Sequence, residues 1–122
     1  MATITAQLTL TAAPGQVSTN ALSLSESDDI TVDGAPVTNL NRVSVATSAD
    51  TELLAASHGN TYVYIKNTDS TNLVKLKTEA NELFGVVWPG EWAYFCVLEN
   101  EGLGVVANNA ACVIEYSLYK RT

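Results

Sequence analysis

Charge, basic residues and the side chains that do most chemistry are all scarce in this chain. Charged residues fill 16% of its 122 positions against 47% for hydrophobic ones, the reverse of the balance that keeps a chain disordered. Only six Lys and Arg face thirteen Asp and Glu, giving a formal net charge of −7. Sequence-independent nucleic-acid binding needs clustered cations to neutralise phosphates, so no nucleic-acid partner is expected. Arg42 is the single basic residue before Lys66, while Glu26, Asp28, Asp29, Asp33, Asp50 and Glu52 all lie in that stretch. Such acidity repels nucleic acid and membrane surfaces alike. No apolar run reaches the roughly 18 residues that span a bilayer, since Pro89, Gly90 and Glu91 interrupt the longest. Lys and Arg are also missing ahead of any N-terminal apolar block, so no signal peptide is expected and the chain is expected to be made in a cytosol.

The shortage of reactive groups narrows the chemistry. One histidine, His58, and two cysteines, Cys96 and Cys112, cannot complete a four-ligand zinc site. Both cysteines fall in strand-like runs, where buried free thiols are the simple expectation and a cross-strand disulfide the alternative. A Ser/His/acid arrangement would have to use His58, which sits in a Ser57-His58-Gly59-Asn60 turn with no Gly-x-Ser-x-Gly elbow in the chain. An exposed turn histidine accounts for it more simply. Asp29, Asp33 and Gly34 resemble the start of a calcium loop, but Thr31 holds its third position and Leu40 replaces the bidentate Glu. Glu26, Asp28 and Asp29 read as a solvated acidic loop, with a loosely held divalent ion as the competing use. Neither phosphate-cradling glycine motif occurs. No catalytic residue, metal or cofactor is therefore assigned.

What the chain has in quantity is alternation of period two, the mark of half-buried strands, with no sustained helical period. In Thr3–Thr11, Ile4, Ala6, Leu8 and Leu10 point one way and threonines with Gln7 the other. Leu22 and Leu24 alternate with serines in a short second strand. Ile30 and Val32 lead into Asp33-Gly34, a strong hairpin-turn signal, with Pro36 and Val37 on an irregular return strand. Val43 and Val45 alternate next, and Thr51–Ser57 is either a short strand or a helical turn. In Thr61–Lys66, Tyr62, Tyr64 and Lys66 share one face and Val63 and Ile65 the other. A polar loop, Asn67–Asn72, satisfies its own backbone before the strand Leu73–Lys77. Phe84–Trp88 and Glu91–Leu98 read as a strand pair around Pro89-Gly90. Val105–Ala107 and Ala111–Tyr119 close the chain, with Cys112, Ile114, Tyr116 and Leu118 on one face.

Eight or more short strands with regular turn signals predict an all-β, antiparallel β-sandwich of jelly-roll type over residues 1–122 as one domain. The aromatics Trp88, Trp92 and Tyr94 bracket the Pro-Gly turn. They are candidates for a sugar-binding platform beside Glu91, although burial in a core or subunit interface is the commoner use of large aromatics.

The segment from Tyr62 to Tyr119 resembles small virion proteins of marine and cyanophage-type tailed bacteriophages. The resemblance runs through Tyr62-Val63-Tyr64-Ile65-Lys66-Asn67, Asp69-Ser70-Thr71-Asn72, Phe84-Gly85, Trp88-Pro89-Gly90-Glu91-Trp92 and Ala111-Cys112-Val113-Ile114-Glu115-Tyr116. It implies a non-enzymatic jelly-roll subunit of the virion, assembled in the host cytoplasm. A head decoration (cement) protein comes first and a tail, neck or fibre component second. Its partners would be the major capsid protein or other virion proteins, with a homo-oligomer, a trimer, expected. The N-terminal strand, residues 1–12, is then a candidate partner-contacting arm through Ile4, Leu8 and Leu10. A carbohydrate-binding module using Trp88, Trp92 and Tyr94 is the alternative from another class.

Overall fold

The structure, a computed structural model, describes residues 1–34 and 38–122. Its elements are strands: β1 (Ala2–Ala12), β2 (Leu22–Val32), β3 (Thr38–Val45), β4 (Thr51–Leu54), β5 (Thr61–Asn67), β6 (Val74–Lys77), β7 (Leu83–Val87), β8 (Trp92–Val97), β9 (Leu103–Ala107) and β10 (Cys112–Lys120). Every pairing is antiparallel, and no helix occurs among the described residues. The chain divides into two compact units, Met1–Val32 with Thr122, and Asp33–Arg121.

The second unit is a sandwich of two four-stranded sheets, ordered β3-β10-β5-β8 and β4-β9-β6-β7. Strand pairs β3–β10, β4–β9, β5–β8 and β6–β7 are those of one long hairpin folded at the β6–β7 connection. Pairing β10 to β5 and β9 to β6 then rolls that hairpin into two sheets, which is the jelly-roll topology. Alternation sets the inner faces. β5 buries Val63, Ile65 and Asn67 while Tyr62, Tyr64 and Lys66 stay half-exposed. Ile114 and Leu118 of β10, Val74 and Leu76 of β6, and Leu103 and Val105 of β9 complete the centre of the core. Burying each such side chain contributes about 1.5–3 kcal/mol. In β4 a register shift between Glu52 and Leu54 lets both Leu53 and Leu54 reach the interior, the usual effect of a bulge on side-chain direction.

One corner of the sandwich is fixed by a buried amide. Asn67 is fully buried at the end of β5. Its Nδ2 donates to Asn72 O at 2.8 Å and to Val87 O at 3.1 Å, and its Oδ1 accepts from Asp69 N at 3.0 Å. Its backbone N–H donates to Glu91 O (2.9 Å) and its carbonyl accepts from Gly90 N (3.0 Å). Trp88-Pro89-Gly90-Glu91 is a tight turn closed by Glu91 N to Trp88 O at 3.0 Å. Gly90 has φ 75° there, the left-handed conformation that a Pro-Gly turn of type II requires. Asp69 organises the adjoining loop by accepting from Thr71 N (2.8 Å) and Asn72 N (2.5 Å). Those bonds hold its carboxyl below the usual carboxylate range. The Asn67–Asn72 loop thus satisfies its own backbone, as its composition predicts.

Several local expectations are corrected. The Pro89-Gly90 turn is present, but β7 and β8 do not pair: β7 is bonded to β6 in one sheet and β8 to β5 in the other. A two-residue turn signal sets local geometry and carries no information about which strands become neighbours. Asp33-Gly34 likewise closes no hairpin, because β2 pairs with β1 and β3 with β10; Pro36 and Val37 lie outside the described residues. The acidic run does not interrupt β2, which continues through Glu26, Asp28 and Asp29 in register with β1. Thr5 Oγ1 donates to Asp29 Oδ1 at 2.7 Å across that pair. Thr51–Leu54 is a strand, followed by a turn in which His58 N donates to Ala55 O at 3.1 Å. Cys112 is buried but Cys96 is exposed, and both are free thiols.

Asn67→Ala removes three side-chain hydrogen bonds and opens a void, and is expected to lower unfolding stability by about 3 kcal/mol in urea titration. Thr71→Val, on the exposed rim of the same loop, is expected to stay within about 0.5 kcal/mol. A loss below about 1 kcal/mol for Asn67→Ala would contradict the role given to this amide. Because the folded pKa of Asp69 is depressed, its stabilising effect is complete above the unfolded value of about 3.9 and is lost as pH falls through the folded value. Asp69→Ala should therefore lower the urea midpoint at pH 7, with the difference from the parent chain shrinking once pH falls below about 4.

Candidate functional site

Two surfaces concentrate exposed apolar side chains, one on each unit. On the sandwich, β8 is an edge strand whose Trp92, Tyr94 and Cys96 point outward and whose Phe95 and Val97 point to the core. The register sets Lys66 opposite Trp92, Tyr64 opposite Tyr94 and Tyr62 opposite Cys96, so two strands build one aromatic face. Trp92 is 54% exposed and Tyr94 43%. The rings of Tyr62 and Tyr94 are stacked, with centroids 6.1 Å apart and planes 2° from parallel.

The polar groups of this face are tied to the neighbouring strand. Glu115 of β10 lies across from Lys66. Its Oε1 accepts from Tyr64 Oη at 3.2 Å and its Oε2 pairs with Arg42 Nη2 at 3.4 Å. Burial and the Glu115 carboxylate push the Tyr64 phenol above its ordinary value of 10.0. Arg121 Nε donates to Tyr62 Oη at 3.1 Å. The Lys66 ammonium enters no ion pair among the described residues. The edge continues in apolar character on the other sheet, where β7 exposes Leu83, Phe84 and Val86. Phe84 meets Phe95 edge-on at 5.9 Å. Neither β7 nor β8 carries Lys or Pro, residues that commonly keep an exposed edge strand from pairing.

The other surface is the β1–β2 ribbon. Eleven residue pairs in unbroken register join Ala2↔Val32 to Ala12↔Leu22. Because opposed residues share a face, one side collects Ile4, Ala6, Leu8 and Leu10 with Ile30, Asp28, Glu26 and Leu24. The opposite side holds only Thr, Gln, Ser and Asp, from Thr3↔Thr31 to Thr11↔Ser23. Leu8, Leu10, Leu22 and Leu24 are all exposed, with Leu10 at 45%. Toward its Ala12↔Leu22 end, then, the ribbon displays an exposed leucine stripe bordered by two acids, whereas Ile30 and Val32 near its other end are buried.

The arm residues Ile4, Leu8 and Leu10 thus lie together on one ribbon face. Of the aromatic candidates, Trp92 and Tyr94 lie together on β8, whereas Trp88 stands in the turn that begins after β7. Sequence reasoning missed the contributions of Tyr62 and Lys66 to the β8 face and of Leu22 and Leu24 to the ribbon face. Alternation had put each on the correct side of its own strand, but only the strand register shows which residues stand beside them.

Elsewhere the chemistry is sparse. A hollow of about 200 Å³ is lined by Asp50, Glu52, Glu79 and neighbours, smaller than the cavities that enclose ligands. Its acids already have structural work: Asp50 pairs with Lys77 Nζ at 3.0 Å, and Glu79 Oε2 accepts from Ala56 N at 2.9 Å. Among the described residues no cluster of His, Cys, Asp and Glu is arranged to hold a metal ion. No helix among them is long and apolar enough to cross a membrane. His58 is exposed in its turn. Comparison with protein-family models, with curated proteins and with solved structures gives no match for this chain.

The two thiols provide a check on the sandwich geometry. Cys112 is fully buried, and burial, together with the Asp69 carboxylate, pushes its thiol above the ordinary range, so thiolate reagents are doubly hindered there. In native protein one equivalent of a disulfide reagent should react, at Cys96, and the second only in urea. Equal rates at both thiols, or no native reaction, would contradict the placement of β8 and β10.

Proposed function

We propose that this chain is a non-enzymatic structural protein of a tailed-bacteriophage particle, a head decoration (cement) protein that stabilises the capsid lattice. The observation that carries this reading is the ribbon: eleven paired residues per strand whose leucine stripe is exposed. A two-stranded hairpin is marginally stable in water on its own, so such an arm is best explained by a protein surface that it covers in the assembled state. A jelly roll suits this role because its eight strands close a core without needing a ligand or metal, leaving edges and outer faces for neighbours. The resemblance of Tyr62–Tyr119 to phage virion proteins supplies the choice of particle. A tail, neck or fibre component would use the same surfaces on a different scaffold.

The mechanism is mechanical. Each copy buries a modest area on the major capsid protein, and many copies on a repeating lattice hold adjacent capsomers together. The aromatic face of Trp92, Tyr94 and Tyr62 also favours a second reading, a carbohydrate-binding module, since stacked and exposed rings offer flat apolar platforms.

Co-sedimentation of the purified chain with empty shells of the phage major capsid protein tests the first reading. Saturation at a fixed number of copies per capsomer, with a rise in shell melting temperature, is expected. Failure to sediment with shells, together with a saturable blue shift of Trp fluorescence by a polysaccharide that Trp92→Ala abolishes, would replace it with the second.

A further inference from the structure

We infer that the leucine face of the β1–β2 ribbon docks on the aromatic face of β5 and β8 in a second copy of this chain, head to tail. This rests on the reading of the chain as an assembly subunit and names the partner of its arm. Three observations select that occupant over others.

The first is charge. All three acids of the ribbon, Glu26, Asp28 and Asp29, lack any Lys or Arg within residues 1–32, and all six basic residues lie in 38–122. Glu26 and Asp28 stand on the leucine face itself, opposite Leu8 and Ala6. Ribbon packed on ribbon would therefore bring acids of both copies into one interface, where like charges are destabilising. The β5–β8 face instead offers Lys66 beside Trp92 and Arg121 on the Tyr62 hydroxyl. Strands β5 and β8 carry no acid of their own; of the flanking carboxylates, Glu115 on β10 is engaged by Arg42 and Tyr64, and Glu91 lies in the turn before Trp92.

The second is size. From Ala6↔Asp28 to Ala12↔Leu22 the distal ribbon runs about 24 Å at roughly 3.4 Å per residue, the length also of the seven-residue strand β5. Both surfaces are two strands wide. The third is the pattern of exposure. Leu8, Leu10, Leu22 and Leu24 on one side, and Trp92 and Tyr94 on the other, are among the large apolar side chains left exposed. Docking covers both sets, with the ribbon acids facing Lys66. A contact between two different patches repeats from copy to copy and closes into a ring if the rotation between copies allows it.

The contact area is below that of a standard interface, so the isolated chain should associate weakly and gain strength from multiple engagement. Sedimentation velocity over a range of concentrations is the test, on full-length chain carrying one of two changes. Leu10→Asp with Leu24→Asp disables the ribbon face; Lys66→Glu with Trp92→Ala disables the sheet face. All four side chains are exposed or half-exposed, and an unchanged urea midpoint confirms folding; Lys66→Glu alone serves if the pair lowers it. Parent chain should self-associate, more weakly as salt rises, and each variant should weaken association at least about tenfold. Mixed together, the two variants should form a one-to-one dimer, because each retains the half that the other lacks. A parent chain that stays monomeric, or a mixture that does so while the parent associates, overturns the inference. Neither result depends on shell binding, so its failure is distinguishable from failure of the decoration role.

Discussion

Asn67 is the point on which the arrangement of the sandwich turns. Its buried amide ties the end of β5 to the last residue of β7 and to the loop before β6, while its backbone bonds to the turn that starts β8. Four strands from both sheets are thereby registered at one corner. A buried amide with all of its bonds made is specific in a way that apolar packing is not, because a shift of one residue would leave its donors and acceptor unpaired at a cost of about 1–3 kcal/mol each. The position of the Trp88–Glu91 turn follows from it. So does the choice of which β8 side chains face outward.

That corner links fold to surface. Once β8 begins at Trp92 opposite Lys66, alternation sends Phe95 and Val97 inward and leaves Trp92, Tyr94 and Cys96 outside. Tyr62 and Tyr64, which would be isolated rings on β5, become part of a continuous face. The ribbon reaches its amphipathic state by a different route, since eleven pairs in register without a bulge keep every leucine on one side. Both surfaces are unusually apolar for so acidic a chain, and the proposed assembly role is a physical account of why they are retained.

Much of this was legible in the sequence, and the limit was consistent. Period-two alternation gave the strands and their inner and outer faces, as with Val63 and Ile65 against Tyr62 and Tyr64. Turn chemistry gave Pro89-Gly90 and the self-satisfied Asp69 loop. Neighbour relations were not legible: Pro-Gly joined two sheets rather than two partners, and Asp33-Gly34 closed no hairpin. β2 was underestimated because Glu26, Asp28 and Asp29 suggest a loop by composition. From Leu22 to Asp29 both faces of β2 are open to solvent and only Ile30 and Val32 at its end are buried, so no core face is there to exclude charge from the acidic run. Cys96 was expected inside by residue type and is outside by parity, one position from Val97.

The proposed assembly role makes the order of the ribbon depend on what it covers, and amide hydrogen exchange measures that directly. In dilute chain the amides of β1 and β2 should exchange fast while those of β5 and β10 are strongly protected. In the assembled state the ribbon amides should slow markedly, with the sandwich core unchanged. Ribbon amides as protected as those of β5 in the dilute chain would contradict the account, because the ribbon would then be stable without a partner.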